Sequence, residues 1–169
     1  NNPYSHIHNS VLAWKSGEYY EEYRRNGIDV FLVNELRKYP ILCLWQIIRI
    51  INKTKPDIIH LHNLHEEYFD LRLLPKLSLE FPVFLSIHDF WLITGYCASF
   101  FSCKEWRKGC ENCSILSNVS RFFKDVSHKN FMKKKEIFLN SSIHLIYPSL
   151  WTKKLIERSI LKPAIIDSK

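Results

Sequence analysis

Four cysteines, Cys97, Cys103, Cys110 and Cys113, fall within seventeen residues in the spacing C-x5-C-x6-C-x2-C. No other feature of the chain constrains its local fold as tightly. A segment that gathers four thiols this closely must bend back around them, whether they hold a metal ion, pair as two disulfides or stay as four free buried thiols. Cys110-x2-Cys113 makes the short chelate loop usual in zinc knuckles, and four thiolates fill a tetrahedral site, so the spacing favours one structural Zn²⁺ over the other two readings. The residues leading into the loop are equally informative. Pro82 to Ile87 is an apolar run of strand length, and it closes on the ionisable pair His88-Asp89. In an open parallel sheet, ligands sit in the crevice beyond the carboxyl ends of the strands, so a polar pair at that point marks a candidate site.

The remaining chain reads as alternating strands and helices. An amphipathic helix around Glu18 to Arg25 stops at Asn26-Gly27, which suits a left-handed cap, and Ile28 to Val33 follows as a short strand. After Pro40 a helix carries Ile41, Leu44, Trp45, Ile48 and Ile51 at helical spacing, with Gln46, Arg49 and Lys53 on the other side. Trp45 is therefore expected in the core, and Cys43 as a free core thiol. Asp57 to Asn63 looks like a buried strand ending in polar residues, the first of a parallel pair with Pro82 to Ile87. Between them, Leu71, Leu74 and Leu77 mark a helix interrupted by Pro75, which fits a right-handed βαβ crossover. Val119, Phe122, Phe123 and Val126 form a further helical stripe, and another helix runs to about Leu139. Ile143 to Tyr147 is a strand, Ser149 a candidate cap for the helix Trp151 to Ser159, and Ala164 to Lys169 resembles the entry to one more strand. The expected architecture is α/β, a Rossmann-like parallel sheet flanked by helices in a single domain, residues 1–169, incomplete at both ends, with residues 97–113 as a Cys-rich insertion.

Composition narrows the function. A chain that is 46% hydrophobic and 14% aromatic is too apolar for disorder. The net charge of +7 is carried in clusters such as Arg24-Arg25, Lys133-Lys134-Lys135 and Lys153-Lys154. These read first as solvated helix faces, and the excess is compatible with phosphate-bearing ligands or peripheral contact with an acidic membrane face. The N-terminus lacks a secretory pattern, and the most apolar run, Ile41 to Ile51, falls short of the roughly twenty residues a bilayer needs, so a cytoplasmic protein is expected. The four glycines build neither G-x-G-x-x-G nor a Walker loop, and the aromatic residues fall at core spacing rather than among basic ones, which argues against nucleic acid.

PDIIHLHN at 56–63, SIHDFWLITGYC at 86–97, the later cysteines with Trp106, and YPSLWTKKL at 147–155 together resemble the N-terminal half of glycosyltransferase family 4. The resemblance covers roughly residues 40 to 160. It implies one half of a GT-B architecture, two Rossmann-like domains facing across a cleft, and transfer of a sugar from a nucleotide-sugar donor to a glycan or lipid-linked acceptor with retention at the anomeric carbon. This chain resembles the acceptor-side domain, in an enzyme of bacterial surface polysaccharide assembly. The family's Gly-rich turn after the first strand has no counterpart here, and its C-terminal domain, with an E-x7-E pair and a basic pair for the donor phosphates, is not in these residues.

The resemblance implies His88 at the cleft floor, contacting sugar hydroxyls near the reacting centre, with Asp89 orienting it or capping the next turn. The imidazole's ability to donate or accept near neutral pH agrees with that role. His62 and Asn63 at their strand end, and Trp91 in the His88-Asp89-x-Trp91 pattern, are the candidate substrate contacts. His60, His62 and His65 lack the carboxylate or thiol partners of a metal site and are expected to pack or line the cleft. The rival reading is a non-catalytic, zinc-stabilised interaction domain that keeps the fold.

Overall fold

The computed structural model describes residues 7–13, 17–33, 40–62, 64, 69–99, 102–111, 113 and 125–168. The chain divides into two compact units, residues 1–56 with 67–69, and residues 57–66 with 70–169.

In the first unit, β1 (Ser10–Ala13) and β2 (Asp29–Leu32) pair in parallel, Ser10 opposite Asp29 and Ala13 opposite Leu32. The short helix α1 (Tyr20–Arg25) lies between them in sequence. Gly27 takes φ 74° just after it, the left-handed geometry expected of the Asn26-Gly27 stop, which a side chain would strain. Helix α2 (Pro40–Thr54) forms as its periodicity predicts, but it buries a different face. Cys43 and Ile47 are 5% exposed, whereas Trp45 is 57% exposed. The reason is that α2 is apolar around much of its circumference, so spacing alone does not choose the buried stripe. Trp45 stands two residues from Cys43, on roughly the opposite side of the helix, and its ring carries the Arg49 guanidinium 5.4 Å from the centroid, one turn on. Gln46, expected on the polar side, instead has a buried Oε1 without a hydrogen-bond partner. Cys43 is in no disulfide.

The second unit is a four-stranded parallel sheet in the order β3 (Ile59–His62), β4 (Val83–Ser86), β5 (Ile143–Ile146), β6 (Ile165–Ser168). Helix α3 (Leu74–Glu80) follows a 3₁₀ turn at Leu71–Leu73 and makes the β3-to-β4 crossover. Pro75 does not interrupt it. It sits in the first turn, where a missing N–H costs no helical hydrogen bond and the fixed φ suits the start of a helix. Helices α4 (Ser127–Leu139) and α5 (Leu150–Ile156) complete the order, and Ser149 caps α5, its hydroxyl accepting from the Thr152 N–H at 3.2 Å.

Alternation along the strands separates two faces. Val83, Leu85 and Ile143 are fully buried, Leu145 nearly so, and they belong to a core with Leu74, Phe138, Ile156 and Leu161. The opposite face carries His60, Phe84 and His144 in register, then His62, Ser86 and Ile146. Phe84 and His144 stack with centroids 4.7 Å apart. Asp57 to Asn63, expected as a buried strand, is thus half-buried where described, with its histidines outward. Val119, Phe122 and Phe123 lie outside the described residues, and Val126 is exposed at the start of α4. Among the described residues, no helix is long and apolar enough to cross a membrane.

Candidate functional site

The parallel register sets the carboxyl ends of β3 and β4 side by side, with His62 opposite Ser86 and His88 two residues beyond. Because side chains two apart share a face, His60 and His62 point the same way, their rings 4.1 Å apart. His60 Nε2 meets the Ser86 hydroxyl at 2.8 Å, and His62 Nδ1 meets His88 Nε2 at 2.9 Å. In that last pair one ring donates and the other accepts, so at least one must be neutral. Burial pushes the His62 pKa down, and positive charge on His60 or His88 pushes it the same way. Two residues selected separately from sequence, His62 and His88, are therefore hydrogen-bonded partners. Asn63 and His65 lie outside the described residues.

Beyond His88 the chain turns sharply. Asp89 Oδ1 accepts from the Trp91 N–H at 2.8 Å, which fixes the corner and gives Asp89 its turn-capping role. Phe90 N–H donates to the Ala98 carbonyl at 2.9 Å, closing the loop from its other end. Leu92 and Ile93 anchor the loop in the core. Trp91 is half-buried, and the Lys134 ammonium lies 3.3 Å from its ring centroid, so one face of the indole is occupied by that cation.

The four cysteines of the loop line one small cavity together with Thr94, Trp106 and Ser127, and none is in a disulfide. Cys110 takes φ 56°, unusual for a residue with a side chain, directly after Gly109 at φ 114°. The Gly95 N–H lies 3.1 Å from the Cys110 sulfur, placed to donate to it. Burial pushes the thiols of Cys97 and Cys110 up, and the neighbouring thiols add to the rise. Among the described residues, no group of three or more His, Cys, Asp or Glu side chains stands arranged as a metal cage. The donor set nevertheless has the chemistry of a structural zinc site, four soft sulfurs with an N–H directed at one of them.

Three residues that tie this loop to α4 went unnoticed in the sequence. Asp125 accepts from the Cys113 and Ser127 N–H groups, each at 2.8 Å, and these bonds hold its carboxyl below the ordinary range. His128 Nδ1 meets the Gly109 carbonyl at 2.9 Å. Lys134, read as part of a solvated basic run, is 4% exposed and donates to the carbonyls of Trp91 at 2.6 Å and Thr94 at 3.0 Å. Burial pushes its pKa down to about 7, opposed by the nearby Cys110, Asp89 and Cys97. The signal was present: Phe131, Lys134 and Phe138, at i, i+3 and i+7, are all on the buried stripe of α4. Lys133 and Lys135 are exposed, as expected.

The sequence over 101 residues is 30% identical to a colanic acid biosynthesis glycosyl transferase named WcaC from Escherichia coli (strain K12), an alignment covering 55% of this chain and 25% of that protein. The aligned stretch is thus about a quarter of the relative's length. No solved structure matches the chain. The sequence profile of Glycosyltransferase Family 4 matches residues 7–164, a span that takes in both units and every element of the site. With a parallel α/β sheet carrying its polar residues at the carboxyl edge and a match of that extent, the chain belongs to glycosyltransferase family 4.

Proposed function

We propose that this chain is the acceptor-side domain of a retaining glycosyltransferase that moves a hexosyl group from a nucleotide-sugar donor to a glycan or lipid-linked acceptor in bacterial surface polysaccharide assembly. The observation that carries this reading is the His62–His88 pair at the carboxyl edge of the parallel sheet, in a chain of this family. An imidazole held there by a second ring can hydrogen-bond sugar hydroxyls in a fixed direction, and fixed polar contacts discriminate strongly among hydroxyl patterns. Asp89 sets the turn that presents His88, and Trp91 is the neighbouring aromatic contact. The name of the Escherichia coli relative supports polysaccharide assembly as the setting. Donor phosphates would be held by a second GT-B domain. We place the enzyme on the cytoplasmic side, consistent with cysteines that form no disulfide, in peripheral contact with the membrane. The test is His88→Ala in the full-length enzyme. Turnover is expected to fall by about 10²-fold or more with folding stability nearly unchanged, because a strand-end residue facing the cleft contributes little packing. Normal turnover would remove His88 from the site, and absence of any transfer by the wild-type full-length protein would leave the non-catalytic interaction domain as the better reading.

The cysteine loop is assigned one structural Zn²⁺ on Cys97, Cys103, Cys110 and Cys113. Four sulfurs around one cavity, none in a disulfide, support this. The ion would supply cross-linking of the loop and no chemistry on the sugar. Elemental analysis of protein purified without added metal should find about one equivalent of zinc. Less than a few tenths of an equivalent, with the sulfurs free or paired, would exclude it.

A further inference from the structure

The chemistry of the cleft and the thiol loop meet at one buried cation. Lys134 projects from α4 to a position 4% exposed, where its ammonium donates to the carbonyls of Trp91 and Thr94 and lies against the Trp91 ring. Those two carbonyls bracket the short 3₁₀ turn Trp91–Ile93 that follows His88 and Asp89. A buried ammonium is costly unless hydrogen-bonded, and here two carbonyls and the indole face meet it between the apolar Phe131 and Phe138 of the same stripe. Thr94 carries the connection further. Its hydroxyl donates to the Cys97 carbonyl at 2.6 Å, and the next residue, Gly95, directs its N–H at Cys110 Sγ. One lysine therefore holds the corner presenting His88 and the first strut of the cysteine loop.

We propose that Lys134 is a positioning residue for glycosyl transfer. It fixes the His88–Asp89–Trp91 corner from beneath and joins that corner to the thiol loop, so that disturbance of one is felt at the other. This rests on the reading of His88 as a cleft residue. It does not rest on bound metal, since every contact it uses is made by protein atoms alone.

The experiment compares full-length wild-type enzyme with His88→Ala, Lys134→Met and Lys134→Gln. Met fills the volume of the lysine stem without the ammonium, and Gln keeps an uncharged NH₂ donor group. Two readouts are taken on folded protein: the separation of kcat from KM, and the rate at which Cys97 and Cys110 react with a thiol reagent, resolved by mass spectrometry. Lys134→Met is expected to lower kcat by about 10²-fold with donor KM within about threefold, since an ångström of misplacement near a reacting centre has that effect. Thiol labelling should rise by about tenfold as the loop opens more often. Lys134→Gln should fall between Met and wild type on both. Wild-type kcat and labelling in Lys134→Met would overturn the inference while leaving the glycosyltransferase reading intact if His88→Ala is inactive. Normal turnover in His88→Ala would overturn the cleft role of His88 and with it the positioning role of Lys134. Loss of fold in both lysine variants, with kcat falling only in step with the folded fraction, would overturn positioning in favour of a purely structural lysine.

Discussion

At Gly95 the fold leaves no room for a side chain. A Cβ built there would lie 2.3 Å from the Ser127 carbonyl oxygen and 2.8 Å from its carbonyl carbon, both backbone atoms at the start of α4 that cannot rotate away. Gly95→Ala should therefore cost about 1–3 kcal/mol of stability, the usual penalty for forced backbone displacement, measurable as a lower denaturant midpoint with unchanged slope. A change below about 0.5 kcal/mol would mean that the loop and helix are less closely apposed than described. His62 gives a pH-dependent counterpart. Its folded pKa is lowered from 6.5, chiefly by burial and then by His60 and His88, so the unfolded chain takes up this proton first as the pH falls. The sign follows: no penalty above 6.5, and stability lost as the pH drops from there toward the lower folded value. Because His62 is largely exposed and only partly desolvated, the loss is small. His62→Gln should flatten this part of the stability curve between about pH 7.5 and about pH 5.5, and an unaltered slope would assign it to other groups. Residue types announced some of these roles and hid others. The place of His88 beyond a strand end was legible because an ionisable group closed an apolar run. Lys134 was not, because a lysine between two lysines reads as solvated until the helix phase set by Phe131 and Phe138 is imposed on it.

Among the elements, legibility followed how many independent signals agreed. Strand β4 had two, an apolar run of strand length and a polar pair beyond its end, and helix α5 had the Pro148-Ser149 turn with Ser149 capping as expected, although it ends at Ile156 rather than Ser159. Helix α2 had only periodicity, and an apolar helix fits its partner in more than one rotation, so Trp45 came out on the surface while Cys43 and Ile47 went in. Pro75 was misread because proline both breaks helices and begins them, and only the position of the preceding 3₁₀ turn decides which. Strand β1 is four residues with an apolar run of only Val11 to Trp14, too short to single out as a strand. The cysteine loop was legible as a loop but its attachment was not, since Asp125 acts through backbone N–H groups at Cys113 and Ser127 that leave no side-chain pattern. Asp125→Ala should remove both bonds, lowering stability by about 1 kcal/mol, a typical loss for a helix-start acceptor. It should also speed labelling of Cys113 relative to Cys43, which is buried in α2 far along the sequence. Equal labelling of Cys113 with and without Asp125 would show that other contacts hold the loop.

For the whole molecule the decisive quantity is how much of a reaction site these residues can supply. Glycosyl transfer from a nucleotide sugar develops positive charge on the sugar and negative charge on the leaving phosphates, and the phosphates need preorganised donors or cations. The 169 residues contain no G-x-G-x-x-G turn and no Walker loop. The recess beside His88 is small, and among the described residues its lining of Leu64, Ser86, Ile87, Asp89, Trp91 and Leu92 includes no lysine or arginine. Small-molecule affinity comes from a concave pocket that buries most of its ligand, and a sheet edge with three histidines is one wall of such a pocket. The relative aligned with this chain is about four times as long as the matched portion, which leaves ample protein for an opposing wall in that family member. Residues 1–169 on their own should therefore show no measurable turnover of any nucleotide sugar, and donor binding on the order of millimolar or weaker. On the proposed acceptor-side reading, acceptor analogues should bind weakly too, but their binding should fall further when His62 or His88 is replaced. Titration calorimetry with nucleotide sugars and with free glycans separates the two classes of ligand. Micromolar donor binding by this chain, insensitive to His88, would place a phosphate site within it and overturn the division of labour between the two walls of the cleft.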